Sequence, residues 1–284
     1  MMNRIFLSLL VLTSALPALA TGAAAPKTLP GGWVLAWHDE FNGSKLDASK
    51  WQPELGVVRN QGAAQTYTAD SISVKDGMLT LTTKAEETPV SNYKPGSKNW
   101  TEQRKTMPYK SGSITTKGHK NFFHGRLEVR AKVPGNKGAW PAIWLINDNP
   151  WGWPQCGEID VMEHASQQHN HCHATIHWGK NGGNQDAMVN NHPVVDGLTD
   201  NFHVYWMEWD KTTIRLGVDK QEITRLETEK ITYPDGRNPF RKGGYLIINT
   251  AVGGPGTMTE APDAGQYPCQ FQVDYVRYYT KKKK

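Results

Sequence analysis

Cysteine is scarce: three in 284 residues exclude a disulfide-built scaffold, because at most one bridge could form. A surplus of one charge is also missing from the body of the chain. Lys and Arg number 32 against 27 Asp and Glu, and the excess is carried by Arg4 and the four lysines at 281–284. A nucleic-acid partner needs a positive field over a folded face, and 5–280 sums to zero, so that partner is excluded. Beyond the N-terminal leader no apolar run approaches the roughly 20 residues that cross a bilayer. An apolar fraction of 38% with 21% charged residues excludes intrinsic disorder. No repeat and no linker-like stretch interrupts 33–279.

What is present divides into three parts. Residues 1–25 carry Arg4, a short apolar run over 5–12, and small-x-small sites at 18–20 and 23–25. This layout predicts a cleaved signal peptide and a secreted or periplasmic product, with no membrane association after cleavage. Residues 26–280 form the expected domain, and 281–284 a solvated basic tail. Within the domain, short alternating runs stand between Gly, Pro, Asn and Asp. Leu127, Val129, Ala131 and Val133 fall on one face of the run 125–133. Similar runs at 71–74, 78–83, 113–116, 173–178, 202–209, 213–218, 245–249 and 271–279 predict one all-β sandwich or barrel. Only 219–228 has the pattern of a short helical turn.

Glu158, Asp160 and Glu163 place three acids within six residues, interleaved with Ile159, Val161 and Met162. On a regular strand Glu158 and Asp160 share a face, while Ile159 and Val161 take the other. Glu163 then has the wrong parity. A β-bulge near 161–162 returns it to the acidic face, and a helix does not, since residues five apart lie about 140° apart around the axis. Like charges this close resist joint ionisation. A fold that keeps them has a use for the proton, as in glycoside hydrolysis, where carboxyls about 5–5.5 Å apart mark the retaining route. A solvated acidic strand and a calcium site are the alternatives.

These residues carry a resemblance. The segment 157–163, Gly-Glu-Ile-Asp-Val-Met-Glu, resembles the Glu-x-Asp-x-x-Glu signature of glycoside hydrolase family 16. Segments at 37–42, 60–67, 109–118, 123–132, 140–145, 173–178, 246–254 and 273–279 follow in family order. The resemblance implies a concanavalin A-like β-jelly roll of two antiparallel sheets with a concave substrate cleft. It makes Glu158 the nucleophile, Asp160 its assistant and Glu163 the acid/base, with Asn60 facing substrate. Within the family the extra residue before Glu163 is similar to the laminarinase branch, which also holds agarases and carrageenases. The expectation is a monomeric endo-β-1,3- or β-1,3(4)-glucanase acting on polysaccharide without a catalytic cofactor. A non-catalytic β-glucan-binding protein is the rival from another class, and a metal-dependent hydrolase a third. One departure stands out: laminarinases often have Trp-Pro-Gly after the paired glycines, whereas Pro255, Gly256, Thr257 and Met258 follow Gly253 and Gly254 here.

Aromatic planes suit the apolar faces of sugar rings. Trp140 and Trp144 share a parity opposite Ile143 and Leu145, and Trp153 sits on an irregular Gly/Pro segment, so these three are the expected platforms. His164, His169, His171, His173 and His177 with Cys172 match no established zinc spacing. If 165–171 is a hairpin loop, His177 falls beside Glu158 and Thr175 beside Asp160, which makes His177 a cleft residue and leaves the cysteines free. The resemblance also implies a structural calcium on the convex side, at Glu40, the carbonyl of Gly77, and Asp274.

Overall fold

The computed structural model describes residues 24–282. The leader expected at 1–25 therefore lies almost wholly outside the described residues, as do the last two residues of the basic tail. Lys281 is not free in solvent. It ends the last strand, Cys269–Lys281, and its ammonium donates to the Gly31 carbonyl at 2.7 Å and sits 4.4 Å over the Trp33 ring. Among the described residues no helix is long and apolar enough to cross a membrane.

Two sheets stack face to face. The larger runs from Gln221–Glu227 through Thr213–Val218, His203–Trp209, Gly125–Lys132, Cys269–Lys281, Met78–Pro89 and Thr106–Ser111 to Gln65–Tyr67. The smaller runs from Asp186–Asn191 through His173–Gly179, Glu158–Glu163, Ala139–Asn147, Gly244–Val252 and Ser113–Thr115 to Gln52–Pro53. Pairing is antiparallel except between Gln65–Tyr67 and Thr106–Ser111, which run parallel. The stretch 219–228 is a strand, Gln221–Glu227, rather than a helical turn. Its Ile223, Thr224 and Leu226 add to the sheet edge, and tertiary pairing outweighs weak local preference.

Alternation explains the layering. Leu127, Val129 and Ala131 on the larger sheet and Ile143, Leu145, Ile159 and Ile176 on the smaller one are wholly buried in one shared core. Each of the Leu, Val and Ile side chains contributes roughly 1.5–3 kcal/mol relative to an exposed position, and Ala131 less. A one-residue slip would turn every one of them outward, so the apolar face locks the register of the opposite face, where the acids lie. Cys156, Cys172 and Cys269 are buried and unbridged.

Candidate active site

The Glu158–Glu163 strand lies between His173–Gly179 and Ala139–Asn147. Glu158 pairs with His177 and Asp160 with Thr175, the register that a hairpin loop at 165–171 requires. On the other side Trp144 faces Asp160 and Ile143 faces Met162, leaving Val161 without an opposite residue. The expected bulge is there. Ile159, Val161 and Met162 are all wholly buried in the core, so two consecutive residues go inward and Glu163 emerges on the face of Glu158 and Asp160. All three acids line one cavity of about 780 Å³. Gly157 leads into the strand at φ +80°, where a Cβ would lie 2.8 Å from the Asn147 amide nitrogen. Glycine fits that position and a side chain does not.

Burial and mutual repulsion set the electrostatics. Desolvation raises the Glu158 carboxyl well above its ordinary range, and the neighbouring Asp160 and Glu163 add to the rise. Asp160 is raised well above its usual value by burial and by Glu163. Glu163 is raised by burial, against the opposing effect of Trp140, whose indole N–H donates to its Oε1 at 2.9 Å. Three carboxyls so placed cannot all ionise, and their protons belong to the set rather than to single residues. Such a set supplies both an ionised carboxylate and a proton donor at one time.

Aromatic and amide groups build the rest of the cleft. Trp140, Trp144 and Trp153 line the same cavity as the acids, and so does Asn60. Trp153 is 54% exposed, as a stacking platform must be. Trp144 is largely buried: its indole N–H donates to Asn249 Oδ1 at 2.7 Å, and Asn249 donates in turn to the Tyr67 hydroxyl at 3.0 Å. Asn60 adopts φ +61° in a loop wedged against the paired glycines, since a Cβ on Gly62 would stand 1.7 Å from the Pro255 carbonyl oxygen. The divergent 255–258 loop thus supports the segment that carries Asn60. His177 turns Nε2 toward Asp160 Oδ2 at 3.3 Å.

Several cleft residues escape sequence reasoning. The Arg59 guanidinium stacks 5.0 Å over Trp144 and is ion-paired with Glu54, and Asp186 meets His177 from the next strand. Trp151 was readable as an aromatic just upstream of the acids, but not its partner Arg237, which lies 4.6 Å from its ring. Each depends on strands or loops far apart in the chain, and only the parity of Asn249 within its own run was open to inspection. Among the described residues the remaining histidines form no metal-ligating group. His164 bonds the carbonyl of His171, and His173 bonds Gln168 and stacks on His192.

The acids that the resemblance implies for calcium carry other partners. Arg277 donates to both oxygens of Glu40, at 3.0 and 2.6 Å, His38 Nδ1 lies 3.1 Å from Glu40 Oε1, and Asp274 is paired with Arg130 at 2.6 Å. Guanidinium charge stands against both carboxylates, so the donors at Glu40, Gly77 and Asp274 do not fit a divalent cation.

A trio of unneutralised carboxyls on the floor of an aromatic-walled cleft, in a two-sheet sandwich, defines the architecture of a glycoside hydrolase. The model of "Glycosyl hydrolases family 16" matches residues 59–277, and the chain belongs to that family. It is 34% identical to the glucan endo-1,3-beta-glucosidase A1 of Niallia circulans, over 88% of this chain and 38% of that protein. Against the beta-glucanase of Rhodothermus marinus it is also 34% identical, over 87% of this chain and 85% of the relative. A solved structure from work on endo-acting O-glycanases, which prominent members of the human gut microbiota express to initiate mucin breakdown, is 49% identical. It covers 91% of this chain and 94% of its own, with a TM-score of 0.87.

Proposed function

We propose that the chain is a secreted, retaining endo-glycosidase that cuts β-linked glycan chains by double displacement. The observation that carries this reading is the bulged strand, which turns Glu158, Asp160 and Glu163 into one cavity. Glu158 attacks the anomeric carbon as a carboxylate while protonated Glu163 gives its proton to the departing glycosidic oxygen. Glu163, now a base, then takes a proton from the water that releases the glycosyl group from Glu158. Asp160, between them and short enough to stay low in the cleft, packs beside the Glu158 carboxylate and orients it. No metal or cofactor is needed for either displacement. The leader pattern at 1–25 supports export.

The glycan is of the mucin O-linked class. Identity of 49% over 91% of the chain supports this above the 34% likeness to named glucanases, and the altered 255–258 loop behind Asn60 agrees with it. The expectation from sequence, a β-1,3- or mixed-linkage glucan, is the second reading, favoured by those glucanase relatives. Digesting mucin O-glycans, laminarin, lichenan and agarose side by side, with products sized by mass spectrometry and their first-formed anomer read by NMR, tests both. Internal cleavage of O-glycans with β-anomeric products is expected. Faster cleavage of laminarin or lichenan would move the substrate to glucan, and α-anomeric products would overturn the double displacement.

A further inference from the structure

Beside the acids lies a chain of groups that the double displacement does not use. His177, half-buried, faces Asp160 Oδ2 with Nε2 at 3.3 Å. Its other nitrogen, Nδ1, lies 3.0 and 3.2 Å from the two carboxylate oxygens of Asp186 on the outermost strand. Both contacts are diagonal ones on a shared face: His177 pairs with Glu158 on one side and Met188 on the other, and Asp160 and Asp186 stand two residues along from those partners. The Trp153 ring lies 6.1 Å from the imidazole, tilted at 51° to it. A carboxylate offers lone pairs only, so Asp186 requires the hydrogen of His177 on Nδ1. That choice leaves Nε2 for Asp160.

We propose that Asp186 is a positioning residue that, through His177, keeps the shared proton on Asp160 and leaves Glu158 ionised for attack. It rests on the retaining reading above. With Nδ1–H bound to Asp186, a neutral imidazole presents a lone pair at Nε2 and accepts the hydrogen bond of protonated Asp160. When the ring is an imidazolium, Nε2–H donates to ionised Asp160 instead. The proton moves between Asp160 Oδ2 and His177 Nε2, one bond forming as the other breaks, with no change in the charge of the set. Asp160 Oδ2 is buried and has no other hydrogen-bond partner, so this is the route open to it. The titratable groups facing His177 are Glu158, Asp160 and Glu163 from one side and Asp186 from the other. The first three repel one another, and Asp186 alone supplies counter-charge to the far side of the ring.

Removing Asp186 frees the ring to exchange tautomers, so that Nε2 no longer always accepts the Asp160 proton and Glu158 takes a larger share of it. Asp186→Ala should lower kcat about 10-fold, leave KM within threefold, and move the acidic limb of the kcat/KM profile to higher pH. Asp186→Glu should restore most of the loss. His177→Gln should have a similar effect, and the double variant Asp186→Ala/His177→Gln should be no worse than His177→Gln alone, because both act through one path. Ring-nitrogen NMR of His177, assigned by its loss in His177→Gln, reads the same point without any substrate. The Nδ1–H form should be held in the parent and lost in Asp186→Ala. An unmoved acidic limb, additive losses, or an unchanged His177 tautomer in Asp186→Ala would overturn the proposal. The NMR result stands even if no glycan is cut, so failure here is distinguishable from failure of the retaining reading.

Discussion

Buried acids occur on both sheets, and the two sheets treat them differently. On the larger sheet Glu128 is paired with Arg126 at 2.6 Å, Asp274 with Arg130 at 2.6 Å, and Glu40 with Arg277. In the cleft, none of the ion pairs among the described residues brings Lys or Arg to Glu158, Asp160 or Glu163; the one ionic contact is from His177. Arg59 enters the same cavity but is committed to Glu54. A buried charge is tolerable when neutralised, and the larger sheet follows that rule. The cleft instead lets desolvation and repulsion raise all three carboxyls. Acids held for stability are given partners, and acids held for proton transfer are denied them.

Exchanging one acid from each region would break this contrast most directly. Glu158→Gln should lower kcat by on the order of 10⁴-fold with Tm unchanged or higher, because a repelling charge is removed. Retained activity would mean that Glu158 is not the nucleophile, and a parent protein that binds glycan without cutting it would favour the binding-protein rival. Glu128→Gln should do the reverse: kcat within twofold, and stability lowered by about 1.5 kcal/mol in urea unfolding, the cost of a hydrogen bond to a charged group, since Arg126 keeps Glu208 as a partner. Loss of activity with no loss of stability would end the distinction.

Smaller changes sharpen it. Trp140→Phe deletes the indole N–H that favours the ionised form of Glu163. Its proton should then be held to higher pH, so the alkaline limb of the rate profile moves up, with kcat/KM about 10-fold lower. The least effect is one of linkage. Asp160 is raised in the folded state, so the fold binds more protons than the unfolded chain above the ordinary carboxyl range, and its stability falls as pH rises through that window. Asp160→Asn should therefore melt at the parent temperature near pH 4 and above it near pH 8. A constant difference across that range would mean that Asp160 is not raised.

The acidic motif was legible because side-chain alternation is strict: an odd spacing between Asp160 and Glu163, with Val161 and Met162 both apolar, has one economical solution on a strand. His177 followed from counting across the 165–171 turn. Asp186 could not, since it stands one strand further out, beyond a loop whose length sets no register. The partners of the acids implied for calcium were hidden for a related reason. Glu40 and Asp274 were readable as acids, but Arg277 and Arg130, which take them, reach them only through pairing of Cys269–Lys281 with Trp33–Asp39 and Gly125–Lys132.

Alternation and bulge parity are local properties, so the sequence by itself determined an all-β chain, the inward face of each strand and the common face of Glu158, Asp160 and Glu163. Which charges meet which is not local. The packing of distant strands alone decided that arginines neutralise the acids of one sheet, that a histidine and a second aspartate back the acids of the other, and that the 255–258 loop stands behind Asn60. Such contacts depend on distances between chain segments that no spacing within a segment records.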